Sequence, residues 1–126
     1  MLVPVAVQQQ IVEQAPRVAY VPSRLPSGWR YSNLLTDGSM LELVFRGGKG
    51  REIDYFVLRS RGACSLGSLG STRLASGIVY WAKTVNQQSA WRCVGTLKLM
   101  AATSLPPDRL SYVVLARLVA SGRHLG

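Results

Sequence analysis

The chain has 126 residues, with 15 Lys and Arg against 6 Asp and Glu, a formal net charge of +9, and 48% hydrophobic residues. That length fits one domain able to bury roughly two-thirds of its unfolded surface, and the composition excludes a disordered chain. One His and two Cys exclude most zinc sites made within one chain, and no apolar run approaches the roughly 20 residues of a membrane-spanning helix.

Residues 1–24 read as a lead-in segment, with a short helix over Val7–Gln14 that Pro16 stops. The stretch Leu2–Val7 contains Pro4 and lacks both a basic flank and a small-residue cleavage site, so it does not read as a signal peptide. The expected location is therefore extracytoplasmic if the chain is a trimmed domain, and cytoplasmic if it is complete. Residues 25–126 read as a single α+β domain.

Trp29–Leu35 and Met40–Arg46 read as strands joined by Thr36-Asp37-Gly38-Ser39, where Asp-Gly favours the positive φ of a hairpin turn. Leu41, Leu43 and Phe45 share one face, with Glu42 and Arg46 on the other. Gly47-Gly48-Lys49-Gly50 turns again into Arg51–Arg59, which places Ile53, Tyr55 and Val57 on one face. Phe56 and Leu58 make its opposite face apolar too, which predicts a cover there. Residues 60–71 form a Gly/Ser-rich loop containing Cys64. Strands follow at Thr72–Ala75, Ile78–Val85 and Ala90–Ala102, the last with a bulge at Gly95 and with Trp91, Cys93, Leu97 and Leu99 on one face.

The period then changes. Leu105-Pro106-Pro107-Asp108 reads as a helix start, and Leu110, Val113, Val114 and Leu118 form the apolar stripe, with Gly122 beyond its end. The expected fold is a twisted antiparallel sheet, a meander of five to six strands, with this C-terminal helix packed on one face.

Most enzyme constellations fail on inventory. The one histidine, His124, lies among the last residues, where chains fray. Glu52 and Asp54 sit two apart on one strand face, a spacing more typical of a solvated or cross-strand-paired face than of paired acid-base carboxylates. Gly47–Gly50 carries a Lys without the following Ser or Thr of a phosphate loop and joins two strands. Trp29, Tyr80 and Arg92 are candidates to converge as a stacking patch, against the plainer reading of core aromatics and exposed arginines. The sequence thus predicts no catalytic residue, no metal and no cofactor.

The positive charge is mostly arginine, spread along the chain and densest at Arg46, Lys49, Arg51, Arg59 and Arg61. These five are the candidate anion- or partner-binding residues, whose role would be long-range attraction. Cys64 and Cys93 are either one bridge between loop and sheet or two unpaired thiols; spacing alone leaves both open.

Several short motifs resemble those of one family. Leu25-Pro26-Ser27-Gly28-Trp29 resembles the "L-P-x-G-aromatic" opening of small bacterial extracytoplasmic domains found on anti-sigma factors and envelope proteins, which are similar to the half-barrel of lipoprotein carriers. Gly77-Ile78-Val79-Tyr80-Trp81, Ala90-Trp91-Arg92 and Leu105–Leu110 resemble their later strands and helix start, so the likeness covers about residues 22–121. The cysteines and the 62–71 loop depart from it. The resemblance implies a non-enzymatic role outside the cytoplasm in sensing, or in binding peptide, lipid or another envelope protein; the basic residues make an anionic protein or envelope component the expected partner. It also favours a Cys64–Cys93 disulfide. Two rival readings remain: a cytoplasmic domain that binds nucleic acid, and a carrier of a small hydrophobic ligand in a pocket lined by Leu43, Tyr55, Trp81 and Leu115.

Overall fold

The computed structural model describes residues 2–104 and 110–126. Helix α1, Val5–Gln14, is followed by a 3-10 turn at Pro16–Val18 and the short strand β1, Tyr20–Val21. Strands β2 (Arg30–Thr36), β3 (Leu41–Arg46) and β4 (Glu52–Arg59) come next. After the Gly/Ser loop come β5 (Gly70–Leu74), β6 (Gly77–Lys83), β7 (Gln88–Val94) and β8 (Leu97–Thr103). Helix α2, Tyr112–Ala120, and strand β9, Arg123–His124, end the chain.

The seven long strands form one antiparallel sheet in the order β2-β3-β4-β8-β7-β6-β5. It is thus two meanders, β2–β4 and β5–β8, joined along the β4–β8 seam. The expected strand at Ala90–Ala102 is a hairpin instead. Gly95 turns the chain with a φ of 58°, a left-handed conformation that glycine adopts without a Cβ clash. That turn also reverses which residues share a face. Trp91 pairs with Met100 and Arg92 with Leu99, so Trp91 and Cys93 face away from Leu97 and Leu99.

Alternation along the strands sorts the two faces. On the inner face Leu41, Leu43, Phe45, Ile53, Tyr55 and Val57 are all fully buried. Each such side chain contributes roughly 1.5–3 kcal/mol of transfer free energy. Helix α2 covers this face, packing on β6, β7 and β8. Ser111 caps the helix by accepting from Val113 N at 3.2 Å. The expected start at residues 105–108 lies outside the described residues. The buried stripe is Leu115, Ala116, Leu118 and Val119, whereas Val113 is 38% exposed. The helix is apolar almost all round, so its sequence period did not select the stripe; packing on the sheet did.

Arg92, on the inner face of β7, donates to Val119 O at 2.8 Å and Gly122 O at 2.6 Å. It thereby adds a second donor to Val119 O, which also accepts from Gly122 N at 3.2 Å, and brings a cation to the negative end of the helix. Gly122 permits this close approach, because a Cβ there would meet Leu99 Cδ2 at 2.7 Å.

The lead-in segment joins the same core through Val3, Ile11, Ala15, Val18, Ala19 and Val21. Strand β1 pairs with β9, and Tyr55 donates its hydroxyl to Tyr20 O at 2.9 Å. Burial pushes that hydroxyl's pKa well up.

Candidate anion-binding cleft

Strand β4 separates the candidate basic residues. Arg46, Lys49 and Arg51 surround the β3–β4 hairpin, while Arg59 ends β4 and Arg61 follows it. Eight residues of strand separate the two groups by roughly 25 Å. The five do not form one patch.

The hairpin group is largely occupied. Arg46 pairs with Glu52 at 3.0 Å and donates Nε to Ser32 Oγ at 3.0 Å. Arg51 donates Nε to Gly48 O at 3.0 Å, with its guanidinium 5.0 Å from the Trp29 ring centroid. Lys49 sits in the turn with a φ of 63°. Cross-strand register sets Arg30 opposite Arg46 and Arg46 opposite Glu52, one row across three strands.

Asp54 lies next along this face. Its pKa is pushed up to about 6, first by desolvation and then by the neighbouring carboxylates of Glu52 and Glu42, against the opposing pull of Arg46. One carboxyl oxygen, Oδ1, is buried without a hydrogen-bond partner among the described residues. The expectation for these two carboxylates therefore holds for Glu52, which is cross-strand paired. Asp54 instead is half-buried beside a like charge.

The other end of β4 opens into a cleft of about 510 Å³ lined by Ser39, Met40, Leu58, Arg59, Arg61 and Lys98. Among the described residues none of the three cations makes an ion pair. Lys98 is placed opposite Leu58 by the β4–β8 register and lies 4.8 Å from the Trp91 ring centroid. Asp37, two residues from Ser39, is committed to its turn. It accepts from Ser39 N at 3.0 Å, Ser39 Oγ at 2.8 Å and Met40 N at 3.1 Å. Those bonds, led by the Ser39 hydroxyl, hold its pKa below the usual carboxylate value.

The Gly/Ser loop frames this cleft. It leaves β4 beside β8 and must reach β5 at the far edge of the sheet, so it crosses the outer face. Ser60 N donates to Thr96 O at 2.8 Å where the loop begins, and Leu69 N to Trp81 O at 2.8 Å where it ends. At mid-course a Cys64–Cys93 disulfide pins it to β7, with a Cα separation of 6.2 Å. Trp91 Nε1 donates to Cys64 O at 2.7 Å beside the bridge. This loop covers the outer face at β7, whereas Phe56 and Leu58 of β4 are half-buried.

Lys98 was not singled out from the sequence, because β4 and β8 are far apart along the chain. Three further readings meet the structure. Trp29, Tyr80 and Arg92 do not converge: Trp29 lies at the hairpin under Arg51, Tyr80 stacks on Trp91 on the outer face, and Arg92 caps α2 on the inner one. His124 is fixed in β9, edge-on to the Tyr20 ring at 4.9 Å and 3.3 Å from Pro16 O through Nε2. The residues considered for an apolar pocket, Leu43, Tyr55 and Leu115, are fully buried in the core. Trp81 is stacked on Tyr112 at 5.2 Å.

No protein-family model matches the chain, and no curated protein is significantly similar to it. Among the described residues no helix is long and apolar enough to cross a membrane.

Proposed function

We propose that this protein is a non-enzymatic interaction or sensor domain of a bacterial envelope protein, working outside the cytoplasm and recognising an anionic protein or envelope component. The observation that carries this reading is the cleft at the end of β4, which Arg59, Arg61 and Lys98 line without making an ion pair among the described residues. A concave site lined by one sign of charge raises the local concentration of oppositely charged partners. The disulfide supports the compartment, because such bridges persist where the surroundings are oxidising. The resemblance of Leu25–Trp29 and Gly77–Trp81 to extracytoplasmic envelope domains supports it as well.

The test is a titration of the full, oxidised chain with a fluorescent ten-residue polyglutamate peptide and, separately, with a duplex DNA of equal charge. The expected result is saturable peptide binding that Arg59→Gln combined with Arg61→Gln weakens about tenfold. Tighter DNA binding, with a steep loss of affinity as salt rises, would overturn this reading in favour of a nucleic-acid-binding domain. The compartment is tested by alkylating free thiols in protein recovered from its native host. Two labelled cysteines without reductant would refute export.

A further inference from the structure

A second concave region lies on the opposite side of the sheet, along the exposed flank of α2. The segment before β2 runs beside the C-terminal end of this helix and is held there by one hydroxyl. Ser23 N donates to Ser121 Oγ at 3.0 Å and Arg24 N to the same oxygen at 3.2 Å. Ser23 Oγ donates in turn to Ser121 O at 3.4 Å. Between segment and helix lies a cavity of about 380 Å³ lined by Arg24, Leu25, Pro26, Val113, Val114 and Arg117. A further cavity of about 560 Å³ shares Arg24 and Arg117 and reaches Leu74 and Ala120. Both volumes fall within the range of small-molecule sites.

The chemistry of this groove differs from that of the cleft on the outer side. Its first cavity has four apolar residues and only two cations. Arg117 is the one charged residue of α2. Among the described residues, neither Arg24 nor Arg117 makes an ion pair or a side-chain hydrogen bond. Arg24 and Arg117 line both cavities, so they mark the junction. Beside them Val113 is left 38% exposed. A polyanion would leave that apolar wall uncovered, and a neutral hydrocarbon would leave two guanidinium groups unanswered at its edge.

We infer that the groove between α2 and the Arg24–Pro26 segment binds a small amphiphilic anion. The carboxylate of a free monocarboxylic acid lies between Arg24 and Arg117, and its alkyl chain lies along Leu25, Val113 and Val114. Arginine suits the carboxylate because its planar fork of donors can meet both oxygens.

The test is isothermal titration of the full chain with decanoate below its micellar concentration, beside acetate and decyltrimethylammonium. Decanoate should bind in a saturable way, with acetate and decyltrimethylammonium at least tenfold weaker. The double variant Arg24→Gln with Arg117→Gln should weaken decanoate at least fivefold and leave thermal unfolding nearly unchanged, since both side chains are exposed. Val113→Ser should weaken decanoate while leaving acetate as it was. Arg59→Gln with Arg61→Gln should have no effect, which separates this site from the cleft. Four outcomes overturn the inference: no saturable binding, equal binding of the cationic amphiphile, an affinity indifferent to both arginines, or an acidic apolar peptide displacing decanoate at far lower concentration.

Discussion

The two ends of β4 carry the same kind of side chain and put it to different use. At the hairpin end, charge is balanced locally: Arg46 has Glu52, Arg51 has the Trp29 ring and a carbonyl, and Asp54 and Glu42 add negative charge nearby. At the loop end, Arg59, Arg61 and Lys98 line a cleft and make no ion pair among the described residues, the nearby Asp37 carboxylate being bonded within its own turn. Net charge alone would have treated both as one basic surface. What separates them is strand register, which brings acids to one end and a third cation to the other.

The most severe way to break this contrast is to release the loop. Replacing Cys64 and Cys93 together by Ser opens a bridge between residues 29 apart. Loop-closure entropy puts its contribution at about 3–4 kcal/mol, so chemical denaturation should show a loss of that order. Affinity for an acidic peptide should fall too, because Arg61 stands on the freed segment. If stability fell without any change in affinity, the loop would not frame the site.

A gentler change sharpens the contrast. Arg46→Gln with Arg51→Gln should weaken acidic-peptide binding less than twofold, although it removes as much charge as the Arg59 and Arg61 pair. The Arg46–Glu52 pair is exposed, with side chains 57% and 39% accessible. Its loss should cost at most about 0.5–1 kcal/mol by urea unfolding. Equal binding losses from both double variants would mean that only total charge matters.

The smallest effect concerns Asp54. Its folded pKa of about 6 stands above the ordinary 3.8, so the folded state favours the protonated acid. The stability this confers is fully present below about pH 4 and is lost as pH rises through about 6. Solvent screening of this half-exposed group reduces the effect to about 1 kcal/mol. Asp54→Asn should therefore raise the melting temperature by a few degrees at pH 7 and make no difference at pH 4. An unchanged melting temperature at pH 7 would mean that Asp54 is already relieved of its like-charged neighbours.

Much of the fold was legible because local rules decide it. The Asp37–Gly38 turn, the inward set of Leu41, Leu43 and Phe45, and the apolar helix before Gly122 all follow from period and turn chemistry. What escaped was decided across distance. A lone glycine in a strand run marks a bulge or a tight turn equally well, so sequence alone leaves Gly95 ambiguous, and only partner strands decide. The same ambiguity put Trp91 and Leu99 on one face. The basic residues of the candidate site were visible, but their division was not. Sequence shows that Arg51 and Arg59 share a strand, not that Lys98 lines a cleft with Arg59 or that Glu52 pairs with Arg46. Arg92 shows the same limit: it read as surface charge and is the donor that ends a helix.

The disulfide also changes the order in which this sheet can assemble. Each meander is built from neighbours in sequence, but the β4–β8 seam must join Arg59 to Leu97. In the reduced chain that contact closes the whole second meander as a loop. With Cys64 tied to Cys93, the covalent path between the seam residues is roughly fourfold shorter, which removes about 1.2 kcal/mol of closure entropy from the step. Early oxidation thus turns the most distant pairing of the sheet into a nearly local one. It lowers the effective contact order of an all-antiparallel topology that would otherwise be slow to find.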